Sequence, residues 1–317
     1  MPINRHAKYI VAIIITFWLN ASFAQDAPMS QFYSNLVVLN PAFTGTTQSD
    51  RVNIFYRNQW LRTNAGFHSF GASYDKSFTK YNSGVGVILT NEINGAYVSP
   101  KFDVAYSYMI EATPELFISM GLQAGIVQKY LLASDLVFDE DGENIQSGFN
   151  KISPDFSAGI VAFYKNTYSG FSVDHIAQPY QGVSRSANEQ LNRKYTAFLG
   201  YLYYYNTRLL KQQRILSPNI LVQIQGYQQN INWGFSFQYN NLIGGLWVRH
   251  NLRPDFDAII FSAGYKTQTY KFAYSYDMNI GKMTNIPLGA HEISFTTLFK
   301  THKKKTYKAI KCPTFLQ

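Results

Sequence analysis

The sequence predicts an all-β fold: a transmembrane antiparallel β-barrel of about fourteen strands. Three observations carry that expectation. Many segments alternate apolar with small or polar residues at a period of two, and none follows the period of a helix convincingly. The composition is poor in charge and rich in rings: 15% of the 317 residues are charged and 16% aromatic, where an ordinary soluble domain carries about 25% charge. The chain is 46% hydrophobic, too apolar for disorder. Yet it lacks the repeated runs of about 20 apolar residues that a helical membrane protein needs.

The N-terminus comes first. Arg5, His6 and Lys8 form a basic start, Tyr9–Leu19 is apolar, and Asn20–Ala24 is a region of small residues. Ser22 and Ala24 occupy the −3 and −1 positions of a cleavage site. This is the three-part pattern of a secretory signal peptide over residues 1–24, too short to span a bilayer well. No cysteine follows the site, so it is not a lipoprotein signal. Loss of Arg5 and Lys8 lowers the formal charge from +9 to +7. Residues 25–50 then read as a periplasmic or lumenal segment.

Alternation begins in earnest after residue 50. In 115–128, Leu116, Ile118, Met120, Leu122, Ala124 and Ile126 alternate with Ser119, Gly121, Gln123 and Gly125. In 230–240, Ile231, Trp233, Phe235, Phe237 and Tyr239 do the same against Asn, Gly, Ser and Gln partners. Successive side chains of a strand point to opposite faces, so each segment has one aromatic-rich apolar face and one small or polar face. A soluble sandwich also alternates. Here, however, the segments are about 9–14 residues long against a usual 5–6. Their polar face carries Gly, Ser, Asn and Gln rather than Lys and Glu, and their apolar face is rich in Phe and Tyr, as lipid contact with aromatic girdles requires.

Strands are expected at 51–60, 67–78, 83–92, 97–111, 115–131, 155–165, 167–176, 193–205, 214–227, 230–240, 242–250, 256–268, 270–281 and 288–300, within a barrel spanning 51–300. The two longest connections, 132–154 and 177–192, follow the fifth and seventh strands. They therefore fall on one side, the outer side if the N-terminus is periplasmic. Residues 301–317 form a basic tail.

Little suggests catalysis. There is no G-x-S-x-G elbow, no G-x-x-x-x-G-K-[ST] loop and no H-E-x-x-H. The six histidines are scattered without metal-ligand spacing. Loop 135–143 holds Asp135, Asp139, Glu140, Asp141 and Glu143. Val137 stands where a calcium loop places its first ligand relative to Gly142, so a solvated outer loop is the favoured account. Asp75, Asp103, Lys271 and Asp277 are expected to face the lumen, lining a path or forming structural pairs. The tail holds Lys300, Lys303, Lys304, Lys305, Lys308 and Lys311 with no acid. It is either a solvated extension or a docking element for a periplasmic or inner-leaflet partner; nucleic acid does not fit a secreted barrel. The single cysteine, Cys312, excludes an internal disulfide framework.

Several short stretches resemble a known family when taken in order. They are SQFYSN at 30–35, LNPAFTG at 39–45, YRNQW at 56–60, GASYD at 71–75, GLQAG at 121–125 and LVFD at 136–139. GFSVDHIAQ at 170–178, YSYD at 274–277, GAHEIS at 289–294 and the ending AIKCPTF at 309–315 complete the series. The series resembles PorP/SprF proteins, membrane components of the type IX secretion system. The resemblance implies a non-catalytic protein of the outer membrane of a Gram-negative bacterium, without cofactor or metal. It implies partners in the periplasmic ring, motor and linking lipoproteins, and in a large secreted adhesin or its C-terminal domain, as in gliding motility. Partner-contact candidates on these motifs and the tail are Asn40, Pro41, Arg57, Trp60, Lys303, Lys304, Lys305, Cys312 and Pro313. The competing expectation is a transporter or porin for small solutes, which needs an open lumen. A barrel enzyme is the third.

Overall fold

The computed structural model describes residues 26–47, 49–60, 66–132, 150–180, 190–206, 213–252, 255–281 and 289–299. The expected signal peptide, the acidic loop at 135–143 and the tail with Lys303, Lys304, Lys305, Cys312 and Pro313 lie outside the described residues.

The strands are β1 (Asp50–Gln59), β2 (Phe67–Phe78), β3 (Ser83–Asn94), β4 (Tyr97–Thr113), β5 (Leu116–Leu131), β6 (Asn150–Tyr164), β7 (Thr167–Asp174), β8 (Lys194–Tyr201), β9 (Tyr203–Asn206), β10 (Gln213–Gln225), β11 (Gln228–Tyr239), β12 (Leu242–His250), β13 (Phe256–Lys266), β14 (Tyr270–Asn279) and β15 (Ala290–Phe299). Both β8 and β9 pair with β10, so they are one barrel strand interrupted at Leu202 and the wall has fourteen strands. The gap lies across from Ser217 and Pro218, and proline brings no N–H to the ladder. Every pairing is antiparallel. The sheet closes where β1 meets β15, from Asp50↔Phe299 to Gln59↔Ala290. Closure leaves no free edge, which is what lets a sheet span lipid.

Each predicted strand is present, most within two residues of its expected ends. The largest difference is β6, which starts at Asn150 rather than Asp155. Pro154 reads as a turn residue, but it lies within the strand opposite Ile126. The pairing of β6 with β7 begins only at Ala158↔Val173. Phe156, two residues on and of the same parity, accepts from Ile176 N on the β7 side. The N–H missing at Pro154 therefore points away from β5, and the β5 ladder loses nothing.

Burial is inverted relative to a soluble protein. Ile54, Phe70, Leu89, Leu122, Phe171 and Phe261 are exposed, while Asn53, Ser69, Ser107, Ser119, Asp155 and Glu292 are buried. The outward face is thus an apolar band with many Phe and Tyr, and the inward face is polar. The connections after β5 and β7 share one rim, here called upper. The turns at 79–82, 114–115, 165–166, 240–241 and 267–269 share the lower rim. Hairpins at the upper rim turn on Gly95 (φ 55°) and Gly226 (φ 57°), left-handed conformations that glycine adopts without strain.

Candidate functional site

The lumen is filled. Residues 26–47 descend inside the barrel from the upper rim to the lower, with one helical turn at Leu36–Leu39 and a 3₁₀ turn at Pro41–Phe43. This plug has no strand period, because its residues answer to a curved lumen and not to a flat sheet. Asn40 caps the 3₁₀ turn by accepting from Ala42 N at 2.9 Å. Pro41 takes the first position, where its missing N–H is not needed.

Three kinds of contact hold the plug. At the lower end they are close and largely main-chain. Ser107 Oγ donates to Thr44 O at 2.5 Å and Ser119 Oγ to Ala42 O at 2.6 Å. Asn40 Nδ2 donates to the carbonyls of Ile160 (3.3 Å) and Phe171 (3.1 Å). Gly121 faces this turn, and a Cβ there would collide with the backbone of Pro41 and Ala42. Along one side the contact is apolar. Phe32, Tyr33, Leu36 and Phe43 pack with Phe163, Tyr168, Phe198, Trp247 and Ile260. The Tyr33 ring stacks on Trp247 at 4.9 Å, and Trp247 Nε1 donates to Asn219 Oδ1 at 2.9 Å.

Toward β14, β15 and β1 the contact is ionic. Arg57 Nη2 donates to Asp277 Oδ2 at 3.0 Å and Nη1 to Glu292 Oε2 at 3.2 Å. Arg249 Nη1 donates to the same Asp277 oxygen at 3.0 Å. The plug enters this network through Ser30. Its Oγ donates to Asp277 at 2.6 Å and accepts from Arg57 Nη1 at 2.6 Å, and its N–H donates to Glu292 Oε2 at 2.8 Å. Gln31 Nε2 donates to Glu292 O at 2.7 Å. Lower down, Arg51 Nε pairs with Asp75 at 2.8 Å, and Gly45 N donates to Asp75 Oδ2 at 2.8 Å. Two arginines and two carboxylates balance within this buried cluster, so each charge in it has a partner of opposite sign.

The upper end of the plug is held at Asp26. Its Oδ2 accepts from Lys194 Nζ at 2.7 Å and lies 3.0 Å from His175 Nε2. His175 Nδ1 lies 2.8 Å from Asp155 Oδ2. His175 follows the last residue of β7 with φ 57°, and this left-handed turn, sparsely populated by non-glycine residues, swings its ring into the lumen. Burial opposes charge on both groups. Lys194 and His175 nevertheless hold the Asp26 carboxyl well below the usual range. Asp26 and the Asp155 hydrogen bond raise His175 to about 9.

The structure relocates several expected residues. Asn40, Pro41 and Arg57 are buried in contacts within the chain. There they secure the plug and its socket. Trp60 is half-buried at the upper rim, beside a cavity. Asp75, Asp103, Lys271 and Asp277 do face inward, the three acids in ion pairs and Lys271 over a ring, its Nζ 5.4 Å from the Tyr33 ring centre. Sequence reasoning missed Asp26, Lys101, Asp155, His175, Lys194, Arg249, Trp247 and Glu292. Strand parity alone would have put Lys101, Asp155, Arg249 and Glu292 inside. Nothing local marks the turn at His175.

The short motifs of the sequence converge here. SQFYSN lies against YRNQW, YSYD and GAHEIS through Ser30, Arg57, Asp277 and Glu292. LNPAFTG lies against GASYD, GLQAG and GFSVDHIAQ through Gly45, Gly121 and Asn40. Among the described residues, the motifs are the plug and its socket.

The barrel is similar to two solved outer-membrane channels. The Ralstonia pickettii toluene transporter TbuX matches with TM-score 0.51 and 8% identity over 84% of this chain and 94% of its own. The monoaromatic hydrocarbon channel CymD matches with TM-score 0.51 and 12% identity over 85% and 94%. At such identities the likeness is one of fold alone. No curated protein matches the chain in sequence. The family of type IX secretion system membrane proteins PorP/SprF, in contrast, matches residues 21–297, nearly the whole barrel and its plug, and the chain belongs to that family.

Proposed function

We propose that this chain is a non-catalytic barrel of the outer membrane of a Gram-negative bacterium that supports export, or surface anchoring, of a large adhesin by the type IX system. One observation carries the choice against a solute pore: the plug occupies the lumen from rim to rim and is tied to the wall by hydrogen bonds to buried carboxylates and by bonds to its own main-chain carbonyls. A diffusion pore needs an open path, and releasing this plug means taking Ser30, Gln31 and Gly45 away from the buried carboxylates of Asp277, Glu292 and Asp75. Family membership supports the link to secretion.

On this account the wall holds the protein in lipid, and the upper rim, where β5 and β7 end, faces outward toward cargo. The lower rim, where β15 ends at Phe299, faces the periplasmic ring, motor and lipoprotein components, and Lys303, Lys304, Lys305, Cys312 and Pro313 are proposed as contacts to them. Deletion of the gene tests the proposal. One or a few large surface proteins should disappear while permeability to small solutes stays unchanged. An intact set of surface proteins with lost uptake of a solute would overturn it.

A further inference from the structure

Above the plug the lumen opens into a vestibule of about 860 Å³ at the upper rim. Seven charged side chains cross it in strict alternation of sign. Asp103 Oδ2 lies 3.4 Å from Lys101 Nζ, which lies 2.8 Å from Asp155 Oδ2. Asp155 meets His175 at 2.8 Å, and His175 meets Asp26 at 3.0 Å. Asp26 takes Lys194 at 2.7 Å, and Lys194 lies 3.8 Å from Asp174 Oδ2, too far for a hydrogen bond.

The series begins and ends on a carboxylate, and both ends are incomplete. Asp103 is 2% exposed and Asp174 6%. Asp103 Oδ1 and Asp174 Oδ2 are buried without a hydrogen-bond donor among the described residues. Both residues line the vestibule, and Gly125 leaves room for the Asp103 oxygen, since a Cβ there would strike it. Glu92 lines the same space and makes no hydrogen bond or ion pair among the described residues. A buried carboxylate oxygen without a donor is costly, so the vestibule is built to accept donors that carry positive charge.

The remaining lining narrows the ligand. Gln59, Gln223 and Gln229 present neutral amides, Phe67, Ile88 and Val127 add apolar surface, and Lys129 lies over the Tyr97 ring. Neutral amides beside apolar surface suit a flexible chain that carries its charges apart. Among the described residues no group of His, Cys, Asp and Glu is arranged to hold a metal ion. We propose that the vestibule binds an organic cation: ammonium or guanidinium groups on a flexible polar chain, whose charges complete the series at Asp103 and Asp174 and engage Glu92. A free polyamine and a basic peptide segment share this chemistry. The inference concerns the barrel itself and stands whether or not the export role holds.

Calorimetric titration of the full chain in detergent tests it. Spermidine and a capped Arg-Ser-Arg peptide are the cationic probes, and a capped Glu-Ser-Glu peptide is the control. At least one cation should saturate, with affinity falling as salt rises, and the acidic peptide should not bind. Preference for the peptide identifies a protein ligand, and preference for spermidine a small one. Glu92→Gln, which breaks no hydrogen bond or ion pair among the described residues, and Asp174→Asn should each weaken binding by about tenfold. Should Asp174→Asn fail to fold, Glu92→Gln decides alone. Failure of both cations to saturate, equal binding of the acidic peptide, or wild-type affinity in Glu92→Gln would overturn the proposal. Those results are read on purified protein, so they are distinct from any export phenotype.

Discussion

The two ends of the plug are held by different physics. The lower end, Asn40–Thr47, is seated mainly by shape: main-chain carbonyls accept from Ser107 and Ser119, backbone approaches backbone at Gly121, and the one ion pair there, Arg51–Asp75, is fully buried away from salt. The upper half, Asp26–Gln31, is held by charge, first at the Arg57–Asp277–Glu292 cluster and then at Asp26 with His175 and Lys194. Close packing resists salt and pH but tolerates no added atom. A charged latch tolerates small changes of shape but answers to protonation and ionic strength. The difference suggests a plug that would loosen from the top while its base stays seated.

That contrast can be broken at four points. Arg57→Ala removes one cation of the buried cluster and leaves Glu292 without an ion pair among the described residues, at a cost of about 3–5 kcal/mol. Protease access to 26–35 should rise sharply, and conductance in planar bilayers should appear if the plug leaves. Access unchanged from wild type would show that Arg249 suffices. Gly121→Val strikes the base instead, at a cost of about 1–3 kcal/mol because the atoms in its way are main chain. Hydrogen exchange should increase at 40–47 before it does at 26–31; the reverse order would mean that the base is not held by shape.

A third and smaller effect concerns pH at the upper end. The pKa of His175 in the folded chain lies at about 9, above its ordinary 6.5. Its contribution is therefore complete below about 6.5 and is lost as pH rises through about 9. The groups around it are Asp26, Asp155 and Glu92 on one sign and Lys101 and Lys194 on the other; Lys194 keeps Asp26 partly held at high pH. Exchange protection at Asp26–Met29 should fall between those limits, and His175→Gln should flatten the change. The smallest effect is that of salt. Raising ionic strength should loosen Asp26–Met29, where Asp26 and Lys194 remain about one-fifth exposed, and leave 40–47 unaffected.

Much of the wall was legible, and the reason is local. A strand in a barrel shows its two faces in its own residues, so Phe272, Tyr274 and Tyr276 against Lys271, Ser275 and Asp277 declare lipid and lumen without help from any neighbour. Where the wall was misjudged, at Pro154 and Leu202, the deciding fact was which adjacent strand a missing N–H would face. The plug was far less legible. Ser30 meets Glu292 across 262 positions and Asp277 across 247, and His175 meets Asp26 across 149. Asn40, Pro41 and Arg57 stood out in the sequence, but their burial inside the barrel, and so their role, did not.

By itself the sequence determined the barrel, its strand number and the polarity of its two faces, because alternation is a property of consecutive residues. Only the tertiary structure decided that the lumen is closed, which charges meet and where the vestibule lies. Those depend on the radius at which fourteen strands close, and on which inward side chains that closure brings opposite one another.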